Sequence, residues 1–493
     1  MGTEIERTEF SEEDARHFGE RLDACLALLR DTLAEPGFGE GERTVGAELE
    51  LYLVDERGRP APRNSEVLGA LGDHRFTPEL NRFNLEFNAP YTALAGRPFS
   101  VLEGHVARAF ERLARLEDEV GARAVPIGIL PTLERTDLDL RWLSNLRRYR
   151  VLNDVLCRLR GEHFHFQIDG ADPLGFDSPD VTPEGAATSW QGHLRIDPKD
   201  FVDVYNAAQL TLPVVLALSS NSPLFLGHRL WHETRIALFK QAVDTRKRVP
   251  FQRRVGPARV AFGSRWLEGA FDALFADKVR DHAPLLPQCH RHPPTEDLEP
   301  GGAPRLFELR LHGSTVWLWN RPVYDPVGGG HVRLEQRALP AGPTARDMLA
   351  SMAFSLGLIM SFRHDRLWKD IPFEAARSNF YLAAKIGIEA ELAWPGAGGL
   401  EDVGVRALAE RLLPRAREGL AEVGIEADEI DRYLAPILGR IETGQTGAVW
   451  QLRTYDALCT KYPRPDALPE LVQRYRALAA AGTPVHGWTV SPP

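Results

Sequence analysis

The sequence predicts an α+β fold built on an antiparallel sheet, and three observations carry that prediction. Several segments alternate apolar and polar residues at period two, the pattern of strands with one buried face. Other segments repeat their apolar residues at helical spacing. The two kinds follow one another without the strand–helix–strand rhythm of a parallel sheet.

Residues 11–34 read as a helix: Ser11 and Asp14 form a capping-box pattern, and Leu22, Cys25, Leu26 and Leu29 share one face. "TVGAELELYLV", from Thr44, reads as a strand with Leu49, Leu51 and Leu53 on one side and Glu48, Glu50 and Tyr52 on the other. "RFNLEFNAP", residues 82–90, alternates likewise, with Phe83, Leu85 and Phe87 against Asn84, Glu86 and Asn88. A helix follows over about 98–120. "GEHFHFQIDG" and "SWQGHLRID" read as strands, and helices over 198–218 and 231–243 flank the turn "SSNSPLFLG". Residues 280–304, rich in Pro, Gly and His, read as a long loop. "FELRLHGSTVWLWNRPVYD" and "HVRLEQRALP" read as two strands around the Gly-rich turn "VGGG". A helix over 344–365 and a mainly helical end complete the chain. The expected division is an α+β domain over 1–365 with a helical region over 366–493 packed on it.

A chain of 493 residues, 43% hydrophobic and 26% charged, has globular composition, and its net charge of −10 argues against coating nucleic acid or an anionic membrane. The four cysteines (Cys25, Cys157, Cys289 and Cys459) form no CxxC pair, which fits a reducing cytoplasm. The first residues lack the basic-then-apolar order of a signal peptide, and no apolar run is expected to reach spanning length. Cytoplasmic localisation, with no nucleic-acid or membrane partner, is the expectation.

The polar strand faces carry the chemistry. Glu48 and Glu50 point the same way, about 7 Å apart by strand rise. If that face looks into a cavity, two like charges call for a counter-charge, and a divalent cation supplies one. Glu86, with Glu79 just before it, Gln191 with His193, and Arg333, Glu335 and Arg337 repeat the pattern. Carboxylates suit Mg²⁺ or Mn²⁺, and the planar arginine fork suits phosphate. Together they suggest a nucleoside triphosphate held through metal; the bland alternative is the solvated face of a half-buried sheet. Neither a P-loop nor a Rossmann fingerprint is present. "CHRH", from Cys289 to His292, lacks a second Cys/His pair at zinc-finger spacing and reads as loop, a candidate flap over the site. Arg321, in "VWLWNRP", is a candidate phosphate ligand.

Five motifs in order resemble the glutamate–cysteine ligase families. "VGAELELYLVD" resembles their Gly-x-Glu-x-Glu strand, and "ELNRFNLEFNAP" their second acidic strand. "TSWQGHLRID", "YNAAQ" and "LSSNSPLFLG" are similar to their strand–helix–"NSP" run. "WHETRIALFKQAVDTR" resembles the next Arg-containing segment, and "HVRLEQRALPAGPT" the Glu-x-Arg strand of the wider glutamine synthetase superfamily. The resemblance implies a curved antiparallel funnel of glutamine synthetase-like type, with ATP at one end, an amino acid at the other, and two or three Mg²⁺ between.

It implies an ATP-dependent ligase working through an acyl phosphate, with glutamate and cysteine giving γ-glutamylcysteine, or with another amine or acid. Carried over residue by residue, Glu50, Glu79 and Glu86 hold one metal and Glu48, Gln191 and Glu335 a second, with Glu48 and Glu86 sharing a third. His193, Arg321 and Arg333 lie near the nucleotide. Arg337 binds the transferred phosphoryl, and Arg235 the substrate carboxylate, with Glu86 beside it. Glu50, Glu335 and Arg337 are the catalytic candidates. Relatives often have His where Gln191 stands, and His163/His165 in "EHFHFQIDG" form a competing pair. Two other classes remain: an ATP-binding regulatory protein without turnover, and a guanidino-kinase-like phosphotransferase.

Overall fold

The computed structural model describes residues 5–247, 256–396 and 398–490. At its centre lies a seven-stranded antiparallel sheet that curls into a half-barrel. Its strands are β1 (Thr44–Val54), β2 (Phe76–Pro78), β3 (Asn84–Ala93), β4 (Arg123–Val125), β5 (Trp190–Ile196), β6 (Asn320–Asp325) and β7 (His331–Gln336). Their order across the sheet is β6-β7-β5-β1-β3-β2, and β4 extends the β5 side of β1. This is the α+β fold the alternation predicts.

Period-two alternation sorts the two faces. On β1, Val45, Ala47, Leu49, Leu51 and Leu53 are buried, and Glu48 and Glu50 lie opposite them. The apolar face packs on two long helices, α2 (Phe201–Ser219) and α4 (Ala345–Asp365), with α3 (Ala273–Asp281) between them in the chain. The back-facing residues of β5 to β7 meet these helices directly: Asn320 donates to Gln209 Oε1 at 2.7 Å, and Gln336 to Ser355 Oγ at 2.9 Å. Against the expectation of no spanning-length run, Pro198–Ser219 and α4 are long and apolar enough to cross a bilayer. The reason is their place in the fold: 89% of the apolar 18-residue stretch of each is buried, so apolar residues surround that stretch on all sides.

The C-terminal helices close over α4. Helix α5 (Val405–Glu422) lies against it with almost no gap. A Cβ at Gly419 would collide with the Gly357 carbonyl, and one at Gly357 with the Ala416 carbonyl. Helix α6 (Arg464–Ala481) reaches the "NSP" turn: Tyr475 donates to the Pro126 carbonyl at 2.7 Å and accepts from Asn221 Nδ2 at 2.8 Å.

One local expectation is corrected. Phe307–Gly313 is a helix rather than the start of a strand. Its alternation misleads because Glu308, Leu309, Leu311 and His312 are all buried, leaving no polar side to read. His163 and His165 are off the main sheet: among the described residues Phe164–Ile168 pairs only with Leu174–Ser178, and His165 Nδ1 lies 2.6 Å from Asp177. A hairpin, Glu391–Gly396 with Gly399–Gly404, interrupts the helical end. The loop over 280–304 is tied to the N-terminal helix Glu12–Ala34, whose Arg21 donates to the His290 carbonyl and to Glu308.

Candidate active site

The register of the sheet builds the site. Glu86 on β3 stands opposite Glu50 on β1, and Thr77 on β2 opposite Glu86. One row along, Glu48 faces Gln191 on β5. In the next row His193 on β5 faces Glu335 on β7, which faces Arg321 on β6. All these side chains share the face away from the helices. Those of Glu48, Glu50, Thr77, Glu86, Gln191 and Arg321 open on a cavity of about 300 Å³, also lined by Arg148, Tyr149, Leu152, Val181 and Trp317.

Two trios of ligand atoms gather here, Glu50/Glu79/Glu86 and Glu48/His193/Glu335, each with its atoms within 4.8 Å of one another. The first is the trio carried over from the resemblance. In the second, His193 stands where the sequence reading put Gln191. Gln191 turns its amide elsewhere, donating to Glu50 Oε1 at 2.8 Å and accepting from Arg337 at 2.6 Å. His193 Nε2 lies 3.1 Å from Glu48 Oε1, and neither ring nitrogen has a well-aligned hydrogen bond.

Electrostatics separates the two trios. Burial, with repulsion from Glu86, raises the Glu50 carboxyl to about 7. Burial and the charges of Glu86 and Glu50 raise Glu79 well above the usual carboxylate range, and burial and Glu48 raise Glu86. In the second trio burial also pushes upward, but attraction outweighs it. His193 carries Glu48 down to about 2, and Arg321 and Arg337 hold Glu335 well below the usual range. Glu335 is fully buried between these two arginines: Arg321 Nε donates to Oε2 at 2.7 Å, and Arg337 donates to Oε1. Three crowded carboxylates with raised proton affinity are a donor set that fits a hard cation.

Two arginines stand apart from the cavity. Arg235 does not face it. It is buried behind, donating to Glu233 Oε1 at 2.9 Å and to the Ala338 carbonyl at 3.0 Å, because the "NSP" turn it supports is itself buried. Arg333 is paired with Asp325 and lines a smaller cavity of about 90 Å³ beyond Glu48. Arg321 and Glu48 line both spaces. The sequence reading also passed over Glu184, in the short turn Thr182–Ala186. It lines the larger cavity, and burial together with repulsion from Glu50 raises it to about 8. It lies on no alternating strand, so period-two reading had no means of finding it.

Comparisons with known proteins point the same way. The family model "Glutamate-cysteine ligase family 2" matches residues 44–473. Two curated relatives are "Putative glutamate--cysteine ligase 2-3" of Frankia alni and "Putative glutamate--cysteine ligase 2-2" of Frankia casuarinae, each 28% identical over 185 residues. These alignments cover 37% of this chain but only 18% of the relatives' length. Among solved structures, a glutamate–cysteine ligase from Francisella tularensis in complex with AMP shares the fold, with a TM-score of 0.56 and 12% identity over 92% of this chain and 91% of that one.

Proposed function

Since the chain belongs to glutamate–cysteine ligase family 2, we propose that it is an ATP- and Mg²⁺-dependent carboxylate–amine ligase that joins glutamate to cysteine. The observation that carries this reading is the pair of adjoining trios, with Arg337 reaching both Gln191 and Glu335 between them. Glu50, Glu79 and Glu86 would hold one ion, and Glu48, His193 and Glu335 a second. When bound, such ions neutralise the triphosphate and the transferring phosphoryl group.

The rest is the work of the chain. The γ-phosphoryl passes from ATP to a carboxylate oxygen of glutamate, leaving ADP and an acyl phosphate. Arg337, already aimed across the row of acids, stabilises the charge that spreads over the equatorial oxygens. The amine nitrogen then attacks the acyl carbon. The C–O bond to phosphate breaks with its electron pair, phosphate leaves, and the nitrogen gives up a proton. Leu152, Leu156, Val181 and Val243 on the cavity wall exclude water, which would otherwise hydrolyse the acyl phosphate. Arg235 acts in this reading as a support for Glu233 and the turn, not as a substrate ligand.

The test is phosphate release from Mg·ATP with glutamate, across a panel of amines that includes cysteine, with product masses read in parallel. Release that requires glutamate and cysteine together, with the dipeptide mass, supports the reading. Release with a different amine keeps the reaction and changes the acceptor. ATP binding without release under any pair overturns the reading in favour of a nucleotide-binding protein.

A further inference from the structure

Lys278, on α3, is buried to 97% of its surface, yet its ammonium has no hydrogen-bond or ion-pair partner among the described residues. Its nearest recorded companion is the Phe275 ring, 5.3 Å from Nζ. A buried cation with no directly paired anion is costly: burial and repulsion from Arg321 lower this ammonium to about 7, and the charge of Glu335, which makes no ion pair with it, pulls the other way. The side chain does not point into the apolar core. It lines the smaller cavity beyond Glu48, together with Arg310, Arg321 and Arg333. Gly313 forms part of the same wall, where a Cβ would stand 4.0 Å from Nζ.

The two spaces that meet at Glu48 and Arg321 therefore differ in sign. The larger has five acids, Glu48, Glu50, Glu79, Glu86 and Glu184, against Arg148, Arg321 and Arg337. In the smaller, four cations face the carboxylates of Glu48 and Asp325, and Asp325 is already paired with Arg333. An anion with several charges suits the second space better than the first. It would also approach the Glu48/His193/Glu335 trio from the side opposite the Glu50 trio.

Resting on the ligase reading above, we propose that Lys278 is a binding residue for the polyphosphate tail of the nucleotide, which enters through the smaller cavity. The phosphate oxygens supply the direct ion pair Lys278 lacks, and the lysine acts as a point charge beside the arginine forks. Lys278 is thus a positioning residue for the phosphoryl donor, and the acidic cavity is left to the acceptor substrates.

The experiment is calorimetric titration of the full chain with Mg·ATP, tripolyphosphate and adenosine, for wild type, Lys278→Met and Arg333→Gln. Methionine fills similar space without a buried charge, so its melting temperature should equal or exceed that of wild type. The expected result is tenfold or greater weakening for ATP and tripolyphosphate, with adenosine changed less than twofold. Arg333→Gln, at a half-buried position, should weaken the same two ligands and carries the test if Lys278→Met does not fold. Tripolyphosphate binding as tight as wild type in the folded variants overturns the inference and leaves the ligase reading standing. A wild-type chain that binds neither ATP nor tripolyphosphate overturns both.

Discussion

Glu50 and Glu86 stand directly opposite each other on the antiparallel pair β1–β3, two carboxylates where a sheet normally places partners that attract. Glu86 Oε1 is engaged by Thr77 at 3.0 Å and Asn88 at 2.8 Å, which leaves its other oxygen for the trio.

Glu86→Gln should therefore stabilise the protein in chelator. The substituted amide keeps the Thr77 and Asn88 contacts and relieves a like-charge pair, a gain of roughly 0.5–1 kcal/mol. The same variant should lose stabilisation by Mg²⁺ and lose phosphate release. Thermal melts with EDTA and with Mg²⁺ check both; a lower melting temperature in EDTA would count against the crowded-acid account.

Glu335→Gln should do the reverse to stability. It removes the anion from between Arg321 and Arg337 and leaves two guanidinium groups facing a neutral amide. The cost is about 3 kcal/mol or more. Phosphate release should fall below detection in both variants, so denaturant melts distinguish them where activity cannot.

The raised carboxylates also set a pH dependence. Glu50 is raised to about 7 and Glu184 to about 8, so without metal these two carboxyls hold protons in the folded chain that they lose in the unfolded chain between about pH 4.5 and 8, while His232, His282 and His312, lowered by burial to about 4, hold fewer in the folded chain below about pH 6.5. The stability that these two carboxyls contribute in chelator should accordingly fall as pH rises through that window. Mg²⁺ must displace those protons, so its apparent affinity should rise over the same range. Melting curves at pH 5 to 8, with and without Mg²⁺, should converge at the acid end and separate toward pH 8.

Gly419→Ala should destabilise the chain by about 1–3 kcal/mol, because the added methyl meets the Gly357 carbonyl across the α4–α5 contact. Since α4 backs the sheet, the variant should also release phosphate more slowly at temperatures just below its transition. An unchanged melting temperature would mean that the two helices separate freely.

What was legible in the sequence followed the strands. Glu48, Glu50, Glu86, His193 and Glu335 all sit on alternating segments, where local spacing fixes a shared face. The register that sets His193 opposite Glu335 depends on strands far apart in the chain, so spacing did not indicate that His193, and not Gln191, would join the second trio. The burial of Arg235 behind the site was not legible, because a helical arginine near Trp231 looks the same whether it faces a ligand or a buried turn. Lys278 left no mark at all: its isolation arises only when α3 packs against the helix Phe307–Gly313, and no local pattern encodes that.

The two trios also differ in how much of the chain each must wait for. Glu50, Glu79 and Glu86 come from one short run that closes with the β1–β3 pairing, whereas Glu48, His193 and Glu335 meet only when strands from the first, middle and later parts of the chain lie side by side. Closing the shorter loops costs less entropy, and non-local pairings form later. During refolding the first metal position should thus mature before the second. A chain stalled halfway would still take up a cation while offering no place for the phosphates, and uptake of the second ion would serve as a chemical clock for completion of the sheet.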